Sequence, residues 1–138
     1  RSSDVCSSDL RELCAALAAI GELGIITNGV DHIQKRRIAS SGLDEFVSFV
    51  ATSEACGHAK PDTRFFDYAA GMARAFRRER TVIVGDRLDA DILGANRFGI
   101  DSCWFNPAGI ENTSLAVPSV EAASLAEVIP ALEALAPA

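Results

Sequence analysis

Carboxylates at the end of an apolar run are the residues of this sequence best suited to metal chemistry. Asp86 ends the most strand-like run, VIVGDRLDAD, and Asp89 and Asp91 follow it. Clustered carboxylates repel one another unless a cation offsets their charge. Mg²⁺ prefers oxygen ligands and keeps several waters, so one or two carboxylates suffice to hold it. We therefore predict that Asp86 is a metal ligand. Capping of the next helix explains Asp89 better, and for Asp91 capping and metal binding both stay open.

A second polar cluster follows another apolar run, in GIITNG. Thr27 ends this run and is followed by Asn28 and Gly29. A hydroxyl at a strand end, with backbone N–H groups free beyond it at a helix start, can hold a phosphate oxygen. These three residues are therefore candidates for phosphate binding, although a turn without any ligand explains this motif better when it is taken alone.

A lysine stands close to the start of a predicted helix, in GHAKPD. Lys60 comes just before Pro61, which we expect in the first turn of that helix. Its charge would add to the positive end of the helix dipole, and this arrangement suits a phosphoryl group that gains negative charge. The alternative is a solvated loop lysine.

The elements that must position these residues alternate along the chain. The predicted strands end the segments LGIITNG, FVSFVATSE, RTVIVGD and IDSCWFNP, and predicted helices precede, separate and follow them. Asp31 is expected to cap the second helix and Gly42 to end it. Alternation of this kind predicts an α/β fold: a Rossmann-like parallel sheet with helices on both faces. In such a sheet, ligands bind beyond the carboxyl ends of the strands.

Composition limits the partners of the protein. The chain has 138 residues, of which 49% are hydrophobic, and its net charge is −6. This length suits one domain with a hydrophobic core, and the acidic balance argues against nucleic acid or a membrane as a partner. It does not argue against a small phosphorylated substrate. Cys6, Cys14, Cys56 and Cys103 lack metal-site spacing, so we expect reduced thiols in a cytoplasmic protein.

The order of these polar residues resembles the haloacid-dehalogenase (HAD) superfamily of hydrolases. GIITNG resembles the second motif of that superfamily, AKPD the third and VIVGDRLDAD the fourth. Within subfamily IA, the segments SGLDEF, SEACGHAKPDTRFFDYA and VGDRLDADILGANRFGIDSCWFNP are most similar to the YjjG-type pyrimidine 5′-nucleotidases. Dehalogenases and phosphoglycolate phosphatases share much of this pattern.

The resemblance implies a mechanism and a role for each matching residue. The family transfers a phosphoryl group to an aspartate and then hydrolyses the aspartyl phosphate with the help of Mg²⁺. Thr27 would bind the phosphoryl oxygens, and Lys60 would neutralise charge around the nucleophile, which makes these two the catalytic residues present. Asp86 would ligate Mg²⁺, and Asp91 would either bind the metal through water or steady Lys60.

Other parts of the family pattern are missing from this sequence. It contains no DxDxT motif, which carries the nucleophile at the end of the first strand of the family, and no helical cap precedes GIITNG. We therefore expect a HAD core that lacks its first strand and its cap, and a chain that is itself inactive. The resemblance places that strand between those ending at Thr27 and Asp86. Without it, these strands must pair directly, leave a gap or recruit another segment, and each outcome lowers stability.

The first residues have an unusual composition. Residues 2–10, SSDVCSSDL, resemble the end of a common sequencing adapter translated in one frame. We therefore expect residues 1–10 to be adapter-derived and residues 11–138 to be part of an N-terminally truncated HAD-like hydrolase core domain. An ordinary serine-rich terminus explains the composition but not the match.

We predict the carboxyl-terminal part of a cytoplasmic, Mg²⁺-dependent phosphatase. Its substrates are expected to be phosphomonoesters, and pyrimidine nucleoside 5′-monophosphates in particular. One alternative is a phosphoglycolate phosphatase or a haloacid dehalogenase of the same superfamily. The other is a regulatory domain that binds phosphate or metal without turnover.

Overall fold

The computed structural model describes residues 7–135, in which helices and short strands alternate. The helices are α1 (Ser7–Ile20), α2 (Asp31–Ser41), α3 (Ser53–Cys56), α4 (Thr63–Met72), α5 (Leu93–Phe98) and α6 (Val128–Glu133). The strands are β1 (Gly24–Thr27), β2 (Phe49–Thr52), β3 (Val82–Gly85), β4 (Asp101–Phe105) and β5 (Val120–Ala122). Within this range no helix is long and apolar enough to cross a membrane.

The stretch predicted to be adapter-derived falls partly inside the structure. Its first six residues, including Cys6, lie outside the described residues. Residues 7–10 form the start of α1, and Leu10 packs against a cluster of Cys14, Ile38 and Leu43. Burial raises the pKa of the Cys14 thiol, as expected for a thiol that packs as an apolar group.

The predicted α/β alternation is confirmed, with two elements that the sequence pattern did not reveal. The segment FVSFVATSE contains a strand only over Phe49–Thr52. The strand stops there because Ser53 begins α3, and the Thr52 hydroxyl caps that helix by accepting from the Ala55 N–H at 3.3 Å. The three-residue strand β5 is the other unpredicted element.

The strands form two parallel sheets and not one. One sheet has the order β1-β2, with Thr27 opposite Thr52, and the other has the order β3-β4-β5, with Gly85 opposite Trp104. No ladder joins β1 to β3 within residues 7–135. We expected β1 and β3 to pair directly, to leave a gap or to recruit another segment. The structure shows a gap between them.

The gap is a cleft of about 730 Å³ that both β1 and β3 line, here called the β1–β3 cleft. No residue of β1 or β3 is buried, whereas Ala51 of β2 and Ser102 and Cys103 of β4 are fully buried. The hydrophobic core is accordingly divided. One part surrounds Ala51 beneath α4, and another surrounds Cys103 beneath α6.

Two helix starts differ from the expectation, whereas one helix end agrees with it. Val30 occupies the position before α2, so Asp31 does not cap this helix, but Gly42 ends it with a left-handed φ of 79°. Helix α4 begins at Thr63, and its cap is Asp62, whose carboxylate accepts from the Arg64 N–H at 2.9 Å. Pro61 therefore lies before the helix and not in its first turn, and the Lys60–Pro61 peptide bond is cis.

Candidate active site

The predicted site residues lie around the carboxyl ends of β1 and β3. Thr27 is the last residue of β1, and Asp86 directly follows the last residue of β3. Asp91 belongs to a π-helical turn, Leu88–Ile92, that leads into α5. Lys60 lies in the loop before α4. The fold thus brings together residues that are far apart in sequence, because the Lys60 side chain reaches both Ile26 in β1 and Asp91 in the turn after β3.

An ion pair between Lys60 and Asp91 is the centre of the site. The Lys60 Nζ lies 2.5 Å from the Asp91 Oδ1, and the two side chains are only 11% and 8% exposed. The same Nζ donates to the carbonyl of Ile26 at 3.2 Å. Lys60 therefore links the end of β1 to the turn that follows β3. These contacts lie at the end of the β1–β3 cleft where both strands have their carboxyl ends.

The approach of Asp91 to the strand depends on a glycine. A Cβ atom at Gly85 would lie 2.2 Å from the Asp91 Oδ2, a distance that no real contact allows. The Asp91 Oδ2 also accepts from the backbone N–H of Arg87 at 3.2 Å. Both carboxylate oxygens of Asp91 therefore have a donor, and the bare backbone at Gly85 makes room for one of them.

The Asn28 side chain fastens the loop that carries Lys60. Its Oδ1 accepts from the Lys60 N–H at 2.9 Å, and its Nδ2 donates to the Lys60 carbonyl at 3.3 Å. These two hydrogen bonds join the turn after β1 to the loop before α4. The Asn28 side chain is therefore a support for Lys60, a role that its place in the sequence did not reveal.

The phosphate-binding groups predicted after β1 are only partly free. The Gly29 N–H, which we expected to be open to a phosphate, donates to the Ser53 Oγ at 2.8 Å. The N–H is therefore engaged by Ser53 of α3, a helix that was not predicted, and phosphate binding by Gly29 stays a prediction. The Thr27 hydroxyl makes no hydrogen bond with any residue in the range 7–135, so it is available to a ligand.

The turn after β1 is also held from the other side. The Thr52 hydroxyl donates to the Asp31 Oδ1 at 2.7 Å, and the Asp31 N–H donates to the Glu54 Oε1 at 2.8 Å. The bond from Thr52 lowers the pKa of the Asp31 carboxyl, with a smaller contribution from Lys35. Asp31 therefore links α2 to β2 instead of capping its own helix.

Asp86 differs from Asp91 in having an open carboxylate. The Asp86 side chain is exposed and accepts no hydrogen bond within the part of the chain that the structure describes. Its backbone is fixed, since the Asp86 carbonyl accepts from the Trp104 Nε1 at 3.2 Å. Trp104 is 4% exposed, so a buried side chain on β4 positions the candidate metal ligand.

Asp89, the third carboxylate, does not cap a helix. Arg87 occupies the position before the π-helical turn, which has no side-chain cap. Asp89 pairs with the Arg87 guanidinium at 2.8 Å, and both side chains are exposed. This contact lowers the pKa of the Asp89 carboxyl. Asp89 therefore takes no part in holding Lys60 or Asp86.

The residues present fit a magnesium ion, although they form no complete cage. Between residues 7 and 135 no group of three or more His, Cys, Asp or Glu side chains could hold a metal. Mg²⁺ needs only one or two protein carboxylates because it retains its waters. The open Asp86 carboxylate meets this requirement, and Asp91 lies on the same turn with its oxygens held by Lys60 and Arg87.

Comparison with known proteins identifies relatives that match most of the chain. A family model for haloacid dehalogenase-like hydrolases matches residues 3–99, which include part of the stretch predicted to be adapter-derived. The chain is 39% identical over 107 residues to the HAD-hydrolase YfnB of Bacillus subtilis, which covers 78% of this chain and 46% of YfnB. It is 38% identical over 112 residues to the pyrimidine 5′-nucleotidase PynA of Streptococcus pneumoniae, which covers 81% and 47% respectively.

The pyrimidine 5′-nucleotidase YjjG of Escherichia coli is 35% identical over 116 residues, with 84% of this chain and 52% of YjjG covered. The chain thus spans about half the length of these curated relatives.

Solved structures agree with the sequence relatives. A crystal structure of YfnB from Bacillus subtilis bound to magnesium superposes with a TM-score of 0.83 at 37% identity, and the match covers 86% of this chain and 52% of YfnB. A 2-haloacid dehalogenase from Pseudomonas syringae has a TM-score of 0.79 at 29% identity, covering 93% and 53%. On the evidence of the site, the fold and these matches, the chain belongs to the haloacid dehalogenase-like hydrolase family.

Proposed function

We propose that this chain is the carboxyl-terminal part of a Mg²⁺-dependent phosphatase that acts on pyrimidine nucleoside 5′-monophosphates. The observation that carries the proposal is the buried Lys60–Asp91 pair beside the open Asp86 carboxylate. A cation at the end of β1 and a carboxylate suited to a metal at the end of β3 suit a phosphoryl group, which gathers negative charge as it is transferred. PynA and YjjG, two of the relatives, are pyrimidine 5′-nucleotidases.

Each residue contributes a separate part of the chemistry. Lys60 holds positive charge at the carboxyl end of β1, and Asp91 keeps the Lys60 Nζ in place through the 2.5 Å contact. The Thr27 hydroxyl donates to a phosphoryl oxygen. Asp86 would hold Mg²⁺, which supplies a Lewis acid for the phosphoryl group when bound. The phosphoryl acceptor is an aspartate of the DxDxT motif, which this sequence does not contain.

Two alternatives are tied to specific observations. Dehalogenases share the fold, as the Pseudomonas syringae enzyme demonstrates, and a glyceraldehyde 3-phosphate phosphatase of Methanocaldococcus jannaschii is 41% identical over 86 residues. The substrate could accordingly be a haloacid or another phosphomonoester, such as phosphoglycolate. The second alternative, a domain that binds phosphate or metal without turnover, requires that the upstream reading frame also lacks DxDxT. The cytoplasmic location stays a prediction.

The decisive test uses the genomic reading frame upstream of residue 11. We expect it to encode DxDxT, and the longer protein to hydrolyse UMP, dUMP or dTMP in the presence of Mg²⁺. Asp86→Asn is expected to abolish turnover, whereas Asp89→Asn, its matched control, is expected to retain it. A reading frame without DxDxT contradicts the phosphatase proposal, and a preference for phosphoglycolate contradicts only the substrate.

The chain of 138 residues is itself predicted to be inactive. Without a nucleophilic aspartate the covalent step cannot occur, however well Lys60 and Asp86 are placed. We expect the purified chain to release no phosphate from p-nitrophenyl phosphate with Mg²⁺ present. Turnover that requires Mg²⁺ and disappears in Lys60→Met would contradict this prediction.

A further inference from the structure

Asn28 and Gly29 form an Asn-Gly step in the turn directly after β1. The other three asparagines of the sequence precede an arginine, a proline and a threonine. A glycine has no Cβ, so the backbone nitrogen of Gly29 is less hindered than that of any other residue after an asparagine. Asn28 is also exposed, so water and hydroxide can reach it. Asn28 is therefore the asparagine whose side chain its own backbone can attack most easily.

The reaction open to such a step is deamidation, which consumes only water. Hydroxide removes the proton of the Gly29 N–H, and the nitrogen then attacks the Asn28 Cγ. The bond between the Gly29 N and the Asn28 Cγ forms, the bond from Cγ to Nδ2 breaks, and Nδ2 takes up a proton and leaves as ammonia. Water opens the resulting succinimide ring at either carbonyl, which leaves aspartate or isoaspartate at position 28. The net change replaces an amide by a carboxylate.

Both reacting groups are held by hydrogen bonds in the folded chain. The Gly29 N–H donates to the Ser53 Oγ at 2.8 Å, and the Gly29 carbonyl accepts from the Glu54 N–H at 3.2 Å. Two further bonds hold the Asn28 amide against the backbone of Lys60. An N–H that donates a hydrogen bond loses its proton to hydroxide only when that bond opens, as in hydrogen exchange. Ring closure therefore requires that the turn after β1 opens first.

The bond between Gly29 and Ser53 is the clearest of these restraints. The bond from the Lys60 N–H to the Asn28 Oδ1 has two opposing effects, because it fixes the side chain but also draws electron density from the carbon that is attacked. The Ser53 hydroxyl has one effect, since it retains the proton that must leave. Thr52, and not Ser53, caps α3, so removal of the Ser53 hydroxyl leaves the cap of that helix in place.

Conversion of Asn28 would loosen the loop that carries Lys60. The Asn28 Nδ2 donates to the Lys60 carbonyl at 3.3 Å, and a carboxylate oxygen in its place has no proton to donate. Two acceptors would then face each other across this contact. Isoaspartate also adds a carbon atom to the backbone and so displaces the turn. The negative charge would appear next to Thr27, where it would oppose the binding of an anion.

We infer that Asn28 is a deamidation site, which Ser53 and Lys60 protect in the folded chain and which opening of the turn after β1 exposes. The rate of conversion is set by the fraction of time that the turn spends open. The product carries a negative charge at the point where the loop of Lys60 is fastened. This inference goes beyond the proposed function and does not depend on a substrate, a metal or turnover.

The test is incubation of the 138-residue chain at mildly alkaline pH, with peptide mapping by mass spectrometry at intervals. Ser53→Ala is expected to accelerate the conversion of Asn28 about fivefold, the effect of losing one hydrogen bond. NMR is expected to show that hydrogen exchange of the Gly29 N–H accelerates by the same factor, because both reactions begin with loss of that proton. The matched control is Ser40→Ala, which removes an exposed hydroxyl bonded to the Arg36 carbonyl and is expected to change neither rate.

Two further measurements complete the test. The chain unfolded in urea is expected to convert Asn28 at least about tenfold faster than the folded chain, and faster than Asn112. The deamidated form, separated by ion exchange, is expected to exchange the Lys60 N–H about fivefold faster than the unmodified chain. If Ser53→Ala does not fold by circular dichroism, the comparison with urea decides. Equal rates in the folded and unfolded chain, unchanged conversion in a folded Ser53→Ala, or faster conversion at Asn112 would overturn the inference.

Discussion

The carboxyl ends of β1 and β3 are held tightly, whereas the same two strands are poorly covered along the rest of their length. At their ends Lys60 and Asp91 form a short ion pair that is almost removed from solvent. Along the β1–β3 cleft, by contrast, neither strand has a buried residue. The contacts that build the site come from loops and turns, not from a strand between β1 and β3. Contacts between side chains of the loops and turns therefore hold the two strand ends together, while the rest of each strand has a neighbour on one side only.

The largest effect is expected from breaking the ion pair at the strand ends. Lys60→Met leaves the Asp91 carboxylate buried without its cation, and this is expected to lower the free energy of unfolding by about 3 kcal/mol or more. Urea unfolding followed by circular dichroism measures the change. The control is Arg64→Met, which removes an exposed pair with Asp62 and is expected to change stability by less than about 1 kcal/mol. Equal effects of the two variants would show that the Lys60–Asp91 pair is effectively solvated.

A smaller but still large effect is expected from Gly85→Ala. The added methyl group meets the Asp91 carboxylate and must displace it, at a cost of about 1–3 kcal/mol. The matched control is Gly71→Ala in α4, where a Cβ meets no atom within 4 Å and is expected to stabilise the helix by up to about 1 kcal/mol. Urea unfolding of both variants tests the difference, and a neutral Gly85→Ala would contradict the described approach of Asp91.

The same truncation compares the packing of the core beneath α6 with the packing along the β1–β3 cleft. Val128→Ala removes methyl groups that are fully buried and is expected to cost about 2 kcal/mol. Val84→Ala, beside the β1–β3 cleft, is expected to cost about 1 kcal/mol or less because this side chain is already partly solvated. Thermal and urea unfolding measure both values. A larger loss at Val84 would mean that the cleft is closed in solution.

The smallest effect concerns the support of the turn after β1. The folded state lowers the pKa of Asp31, so its carboxylate adds stability at pH values above the unfolded pKa. That contribution disappears as the pH falls through the folded pKa. Thr52→Val removes the main donor, so the pKa of Asp31 is expected to rise toward its ordinary value. Carbon-detected NMR of the carboxyl group measures it, with Asp89, held by Arg87, as the unchanged reference.

The sequence allowed candidate site residues to be proposed, but it did not reveal the contacts that support them. Thr27, Lys60, Asp86 and Asp91 could be located because each stands near the end of a segment with a recognisable pattern. The bond between Asn28 and the Lys60 backbone joins residues that are distant in sequence, and no local pattern encodes it. Only the glycine before Asp86 carried a local signal of the close approach of Asp91, and we did not interpret it.

The pairing of the strands was also beyond the sequence pattern. The β-branched residues of VIVG predict a buried strand, and β3 does form there, but periodicity does not say which neighbour covers it. β5 has three residues and follows a Pro-Ser step, so neither its length nor its flanks distinguish it from a loop. Helix α3 is a single turn that Thr52 caps. The segment around Thr52 has the pattern of a strand, so the cap could not be identified from the sequence.

The contact between Trp104 and Asp86 gives the chain an optical reporter of its own. Trp104 is the single tryptophan of the sequence, and its indole N–H bonds to the carbonyl of the residue that we expect to take a metal ion. A cation bound by the Asp86 carboxylate would alter the electrostatic field at the indole ring of Trp104. Titration with Mg²⁺ can therefore be followed by the intrinsic fluorescence of the chain, without turnover and without a label.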